Sequence, residues 1–289
     1  MAEEGYVAPH TVDEVVSLLV EAGGDARVMA GGTDVLVQLH ADLIEPGLFV
    51  DIKNIPELRT IAAEAGGFRV GAAVTSMELV DHEAFNAAWP GVVEGVALIG
   101  SVQVQGRATM GGNLCNASPA ADSVPPLIAA QAVAAIVGPG GPREVPVEDI
   151  ITGPGQTSLD QGEILVSFLF PPRAPHSGDC YMRLTPRTEM DIAVVGAGIN
   201  LTLDDAGTCV AARVALGAVA PTPLLVAQAA DALIGSKVDD AAMAKLATAA
   251  SSACHAISDK RGTKLYRIKT VGVIARRAAE KALERARKN

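Results

Sequence analysis

Two short stretches of this chain offer bare backbone to a ligand. Ala30-Gly31-Gly32-Thr33-Asp34 comes first, and Thr109-Met110-Gly111-Gly112-Asn113 places a second glycine pair eighty residues later. Consecutive glycines let several N–H groups converge on one anion, because no Cβ holds the anion away. Thr33, Thr109 and Asn113 add polar side chains, and Asp122 can accept hydrogen bonds from ribose hydroxyls. Taken alone, AGGTD also reads as an ordinary tight turn. Taken together, two glycine patches with no Walker lysine suit a pyrophosphate gripped from both sides. The expectation from chemistry is a dinucleotide site of non-Rossmann type.

Other candidates fail on spacing. Gly196-Ala197-Gly198 has Leu201 where a dinucleotide fingerprint needs its third glycine, and it lies inside a strand pattern. Close packing of backbones accounts for it better. Gly235-Ser236-Lys237 has the wrong spacing for a phosphate-cradling loop. The histidines His10, His40, His82, His176 and His255 are scattered, and none lies in a glycine motif. No two of Cys115, Cys180, Cys209 and Cys254 stand at metal-ligand spacing, so no metal site is expected from this chain alone. Reduced, buried thiols are the simpler reading, Cys115 included.

Composition narrows the partners. A net charge of −10 argues against nucleic acid. Eleven of the 23 basic residues nevertheless fall between Lys260 and Lys288, which reads either as a docking face or as the solvated side of a last helix. No run approaches the roughly eighteen uncharged apolar residues of a membrane span. The start, MAEEGYVAPH, lacks the apolar segment of a signal peptide. No membrane span and a cytoplasmic location are therefore expected.

The elements that must carry these stretches alternate between short helices and strands over the first 170 or so residues. Thr11 and Glu14 form a capping box ahead of Val12, Val15, Val16 and Leu19, a short amphipathic helix ended by Gly23. ARVMA reads as a buried strand running straight into the first glycine pair, and LFVDI (48–52) as a second. GFRVGAAV reads as a strand, Thr75 and Glu78 as another capping box, and Val92–Ile99 as helical. EILVSFLF (163–170) is a strong strand, closed by Pro171, Pro172 and Pro175. CYMRL, DIAVVGAGINLTL and CVAARVALGAV are strands, followed by helices over 223–234, 239–255 and 264–287. Strands followed by helices suggest an α+β unit. The resulting division is 1–57, 58–172 and 176–289.

AGGTD with TMGGNLCNASPAAD and EILVSFLFP resembles the FAD-binding subunit of the molybdenum hydroxylases, a family that includes xanthine and carbon monoxide dehydrogenases. YMRLTPRTEMDIAVVGAG and DKRGTKLYRIKTVGVIARRAAEKAL resemble the same family's C-terminal flavoprotein domain, so the likeness covers nearly the whole chain. It implies an α+β architecture: a PCMH-type FAD-binding domain of two subdomains (1–57 and 58–172), then a C-terminal α+β domain (176–289).

The resemblance also implies site roles. Val28, Ala30, Gly31, Gly32, Thr33, Asp34 and Val35 would line flavin and pyrophosphate. Thr109, Gly111, Gly112 and Asn113 would form a second phosphate wall, and Asp122 a ribose contact. Ile99 and Leu165 would sandwich adenine, Arg183 would lie near the pyrimidine end of the flavin, and Ile192 against its ring. Met190 departs from a carboxylate that animal xanthine enzymes carry, and Lys264 from the residue usual after RG[ST]. No residue is assigned to catalysis or to metal.

By the same resemblance, FAD resides in this chain, while [2Fe–2S] clusters and Mo-molybdopterin sit in a small and a large partner subunit, assembled as a dimer of heterotrimers. Electrons would leave FAD for NAD+, a quinone or another acceptor. Substrate would be oxidised on the large subunit, so no substrate-activating acid or base is expected here. The alternatives are a free-standing PCMH-type flavoprotein oxidase or reductase, and a non-enzymatic protein whose glycine loops are structural.

Overall fold

The computed structural model describes residues 5–289; the acidic first four residues of the expected first unit lie outside it. The first unit comprises β1 (Gly5–Val7), α1 (Val12–Glu21), β2 (Ala26–Met29), α2 (Val35–His40) and β3 (Leu48–Asp51). Its capping box forms as read: the Thr11 hydroxyl accepts from the Glu14 N–H at 3.2 Å, and the Glu14 carboxylate accepts from the N–H groups of Thr11 and His10. Val12, Val15 and Leu19 then face one core with Val50 and Ile52. The three strands are parallel in the order β1-β3-β2, so β2 is an edge. That position corrects one expectation. ARVMA is a strand but not a buried one, because Arg27 and Val28 are exposed along an open cleft.

The second unit adds β4 (Ile61–Glu64) and β5 (Gly67–Gly71), then six short helices. These are α3 (Ser76–Asp81), α4 (Glu83–Ala88), α5 (Pro90–Val96), α6 (Val102–Gln105), α7 (Met110–Cys115) and α8 (Val124–Ala129). Strands β6 (Val133–Gly138), β7 (Gly141–Pro146), β8 (Ile151–Gly153), β9 (Gln156–Thr157) and β10 (Ile164–Phe170) complete it. The main sheet runs β4-β5-β10-β6-β7, all antiparallel, with the apolar β10 at its centre and mostly buried. Phe168 and Phe170 pack into the second core, where Phe85 meets Phe170 edge-on at 5.0 Å. The other end of β10 differs: Ile164 belongs to the first unit's core. One strand thus holds both walls of the cleft in fixed register.

The third unit is a four-stranded antiparallel sheet, β11 (Ser177–Leu184), β12 (Val195–Leu203), β13 (Cys209–Gly217) and β14 (Leu224–Leu225), with α9 (Ala227–Asp231), α10 (Asp240–Ser252) and α11 (Lys264–Ala286). The helix expected over 223–234 is shorter than its pattern, because Leu224 and Leu225 pair with β13 before α9 begins. Alanine-rich faces of α10 and α11 bury the sheet's inner side. Across the joint to the second unit the approach is too close for side chains. A Cβ on Gly198 would lie 2.6 Å from the Pro125 carbonyl, and one on Gly217 would lie 2.8 Å from the Pro125 ring. Close packing is therefore what the Gly196-Ala197-Gly198 pattern encodes. Among the described residues, no helix is long and apolar enough to cross a membrane.

Candidate cofactor-binding cleft

A cleft of about 550 Å³ opens between the first and second units. Strand β2 delivers its first wall. Gly32 takes φ +77°, a conformation that favours glycine. The backbone N–H groups of Gly32, Thr33, Asp34 and Val35 find no acceptor among the described residues, while the Gly32 carbonyl accepts from the Leu36 N–H at 3.1 Å. Four neighbouring donors with nothing to bind suit an anion. Gly31 answers a different need: a Cβ there would sit 2.0 Å from the Arg107 carbonyl oxygen. It is glycine because the second unit's backbone lies against it, and the Arg107 guanidinium donates to the Gly31 carbonyl at 3.4 Å.

The second wall corrects the picture of TMGGN as bare loop. It is the start of α7, because the Thr109 hydroxyl caps the helix by accepting from the Gly112 N–H at 2.9 Å. Two helical glycines cost about 1 kcal/mol each, which the cap and the burial of Met110 and Leu114 offset. The Gly112 N–H is thereby spent. The Gly111 N–H has no acceptor among the described residues, and the Thr109 proton is still available to donate. Gly111 must also be glycine, since a Cβ would come 2.5 Å from the Ala72 carbonyl oxygen. The two walls are stapled where Gln38 Nε2 donates to Asn116 Oδ1 at 3.1 Å.

Most of the residues expected at the site meet here. Val28, Ala30, Gly31, Gly32, Thr33, Asp34 and Val35 line the cleft with Thr109, Gly111, Gly112 and Asn113, and so do Ile99 and Leu165. Three do not. Asp122, Arg183 and Ile192 lie outside the lining, in or near the joint between second and third units. Asp122 is 7% exposed. Its Oδ1 accepts from the Tyr181 hydroxyl at 2.8 Å, and its Oδ2 pairs with Arg183. Burial lifts its carboxyl to about 6, although Arg183 and Tyr181 pull the other way. The joint still touches the cleft, because Asn113 Oδ1 accepts from both the N–H (3.2 Å) and the hydroxyl (2.7 Å) of Ser123. Ile192 is exposed on the segment between β11 and β12. That segment reaches the rim, where the Met190 N–H donates to the carbonyl of Gly100, next to Ile99.

Sequence reasoning missed several groups. Gln38, Asn116 and the Asp160–Gly162 turn also line the cleft. Tyr181 was findable, because it stands two residues before Arg183 on β11 and must share its face. Cys115 corrects the expectation of burial, being exposed in the cleft wall.

Paired units clasping a cleft with unspent glycine-loop donors, followed by a sheet-and-helix domain, define a non-Rossmann dinucleotide-binding protein. Residues 2–173 match the family described as "FAD binding domain in molybdopterin dehydrogenase", and residues 180–282 the "CO dehydrogenase flavoprotein C-terminal domain". The chain is 38% identical to the putative xanthine dehydrogenase FAD-binding subunit of Escherichia coli over 76% of its length and 75% of the relative's. It is 33% identical to the carbon monoxide dehydrogenase medium chain of Afipia carboxidovorans, covering 98% and 97% of the two chains. Among solved structures, quinoline 2-oxidoreductase from Pseudomonas putida superposes with a TM-score of 0.90 at 31% identity over 98% of each chain. The protein belongs to the FAD-binding subunits of the molybdopterin-dependent dehydrogenases, the molybdenum hydroxylases, and is an oxidoreductase subunit.

Proposed function

We propose that this chain is the electron-transfer subunit of a three-part dehydrogenase. It would take electrons from a small [2Fe–2S] subunit and pass them to NAD+ or a quinone, in an assembly that is a dimer of heterotrimers. A large molybdopterin subunit would oxidise the substrate. The names of its relatives, an FAD-binding subunit and a medium chain, support this reading. The observation that carries it is the row of open N–H groups at Gly32–Val35 together with the open Gly111 N–H, on residues that line one cleft. The ranges 1–57, 58–172 and 176–289 are its working parts.

FAD, when bound, supplies the redox chemistry; the chain's residues supply position. Gly32, Thr33, Asp34 and Val35 would donate backbone N–H groups to one phosphate, with Gly111 and the Thr109 hydroxyl serving the other. Gly31 and Gly112 keep the walls thin, Val28 lines the edge of β2, and Ile99 and Leu165 give apolar faces for a flat ring. Asp122 would reach a ribose hydroxyl with lone pairs left over from Tyr181 and Arg183. Arg183 would set positive charge near the flavin, and a cation there favours the reduced, anionic form. Ile192 would cover the ring from the β11–β12 segment.

The test is purification of the full chain followed by absorption spectra and acid release of cofactor. Yellow protein that releases FAD is expected. Colourless protein that cannot be reconstituted with FAD sinks the reading.

A further inference from the structure

The motif Asp259-Lys260-Arg261-Gly262 … Arg267 lies outside the cleft, yet it grips the segment that borders the cleft. Arg267, near the start of α11, is only 4% exposed. One guanidinium nitrogen donates to the carbonyls of Val194 and Ala218, the other to both Asp259 oxygens at 2.8 Å. Val194 closes the base of the Thr185–Ala193 segment, its N–H donating to the Leu184 carbonyl at 2.8 Å. Within the segment, Arg261 stands at ion-pair distance, 3.7 Å, from Asp191, whose carboxylate accepts from the N–H groups of Arg187 (3.2 Å) and Ile192 (2.9 Å). Asp259 in turn shapes the turn that presents Arg261, accepting from the N–H groups of Arg261 (2.9 Å) and Gly262 (3.2 Å). The segment is therefore held at its base by Arg267 from the start of α11, and faced at Asp191 by Arg261 from the Asp259–Gly262 turn. Ala218 extends the connection, donating its N–H to the Pro119 carbonyl, three residues before Asp122.

A buried guanidinium is a costly way to join two carbonyls and a carboxylate unless its planar fork is needed. We propose that Asp259, Arg261 and Arg267 form a clamp that positions the Thr185–Ala193 segment, and with it the adjoining Arg183 and the Ile192 it carries, against the flavin end of the cleft. The clamp is a positioning device and touches no cofactor atom. Its effect on the cofactor rests on the FAD reading above; its effect on the segment does not.

Hydrogen exchange followed by mass spectrometry on the full chain tests the clamp without cofactor. In Arg261→Ala and Arg267→Lys, the amides of Arg187 and Ile192 exchange about tenfold faster or more, while those of β12 keep their wild-type rates. Unchanged segment amides in either variant overturn the clamp. Equal acceleration of segment and β12 also overturns it, because the residues would then serve general stability. A second measurement uses chain reconstituted with FAD: in both variants the bound flavin loses fluorescence quenching and dissociates several-fold faster. A flavin signal identical to wild type, with the segment loosened, removes the link to the cofactor. A wild-type chain that binds no FAD fails the reading of the cleft and leaves the exchange result standing.

Discussion

The cleft and the joint beside it are built from opposite materials. In the cleft, the open donors are backbone N–H groups, on the glycine loop that follows β2 and on the capped first turn of α7. In the joint between the second and third units, the work falls to side chains on β11. Asp179, Tyr181 and Arg183 alternate along one face of that strand. Asp179 accepts from the Gly91 N–H at 2.8 Å and pairs with Arg173 at 3.0 Å; Tyr181 and Arg183 both reach Asp122. Glu94 and Arg285 close the far end. A backbone site is specified by a few contiguous residues and tolerates exposure. A seam of buried charges is specified by pairs distant in sequence, and each member is costly to leave alone.

The sharpest way to break this contrast is to remove one charge from the seam. Asp122→Ala leaves Arg183 buried at 4% side-chain exposure with its partner gone. The expected loss is about 3–5 kcal/mol of unfolding free energy, read from urea denaturation, with FAD retention weakened as well. A loss below about 1 kcal/mol would make the seam ordinary surface, and unchanged FAD affinity would rule out the ribose contact. In the cleft, Gly31→Ala forces a Cβ to within 2.0 Å of the Arg107 carbonyl oxygen. Overpacking of that kind costs about 1–3 kcal/mol, and here it also spreads the two walls. FAD affinity is expected to drop roughly tenfold or more, as measured by fluorescence titration.

The seam also has a pH signature. Burial lifts both Asp122 and Asp179 from an ordinary 3.8 to about 6. The folded state then holds protons that the unfolded state has released, so stability falls as pH rises from about 4 to 6 and levels off above. Each carboxyl contributes on the order of 1–3 kcal/mol to that fall. Asp122→Asn cannot titrate, so its stability curve should lose part of the slope across this window. Parallel curves for wild type and Asp122→Asn would show that Asp122 is not the source.

What was legible in the sequence follows the same division. The capping boxes at Thr11/Glu14 and Thr75/Glu78, strand β10 and the long last helix are local patterns, and each formed where its pattern put it. The glycine pairs with Val28, Ile99 and Leu165 were legible because short motifs carry them, and they line one cleft. The partners of Asp122 were not, because a carboxylate does not announce an arginine 61 residues away. The same holds for the Gln38–Asn116 staple across 78 residues. TMGGN hid its helix because glycine propensity argues against one, and only the Thr109 cap and the buried Met110 and Leu114 overrule it. Cys115 looked like a core thiol by type, but a helix that walls a cleft must expose one of its faces.

The smallest expected effect tests whether fold and function share a single atom in the cleft. The Thr109 oxygen caps α7 through the Gly112 N–H, and its hydroxyl donates to no acceptor among the described residues. Thr109→Val keeps the branched shape and removes both capacities. Loss of an N-cap costs about 1 kcal/mol, so a urea midpoint should shift modestly while FAD dissociates a few-fold faster. Thr109→Ser keeps the hydroxyl and should behave as wild type in both measurements. If Thr109→Val instead costs as much as Asp122→Ala, the wall depends on side-chain chemistry as the seam does, and the contrast between a backbone site and a charged seam fails.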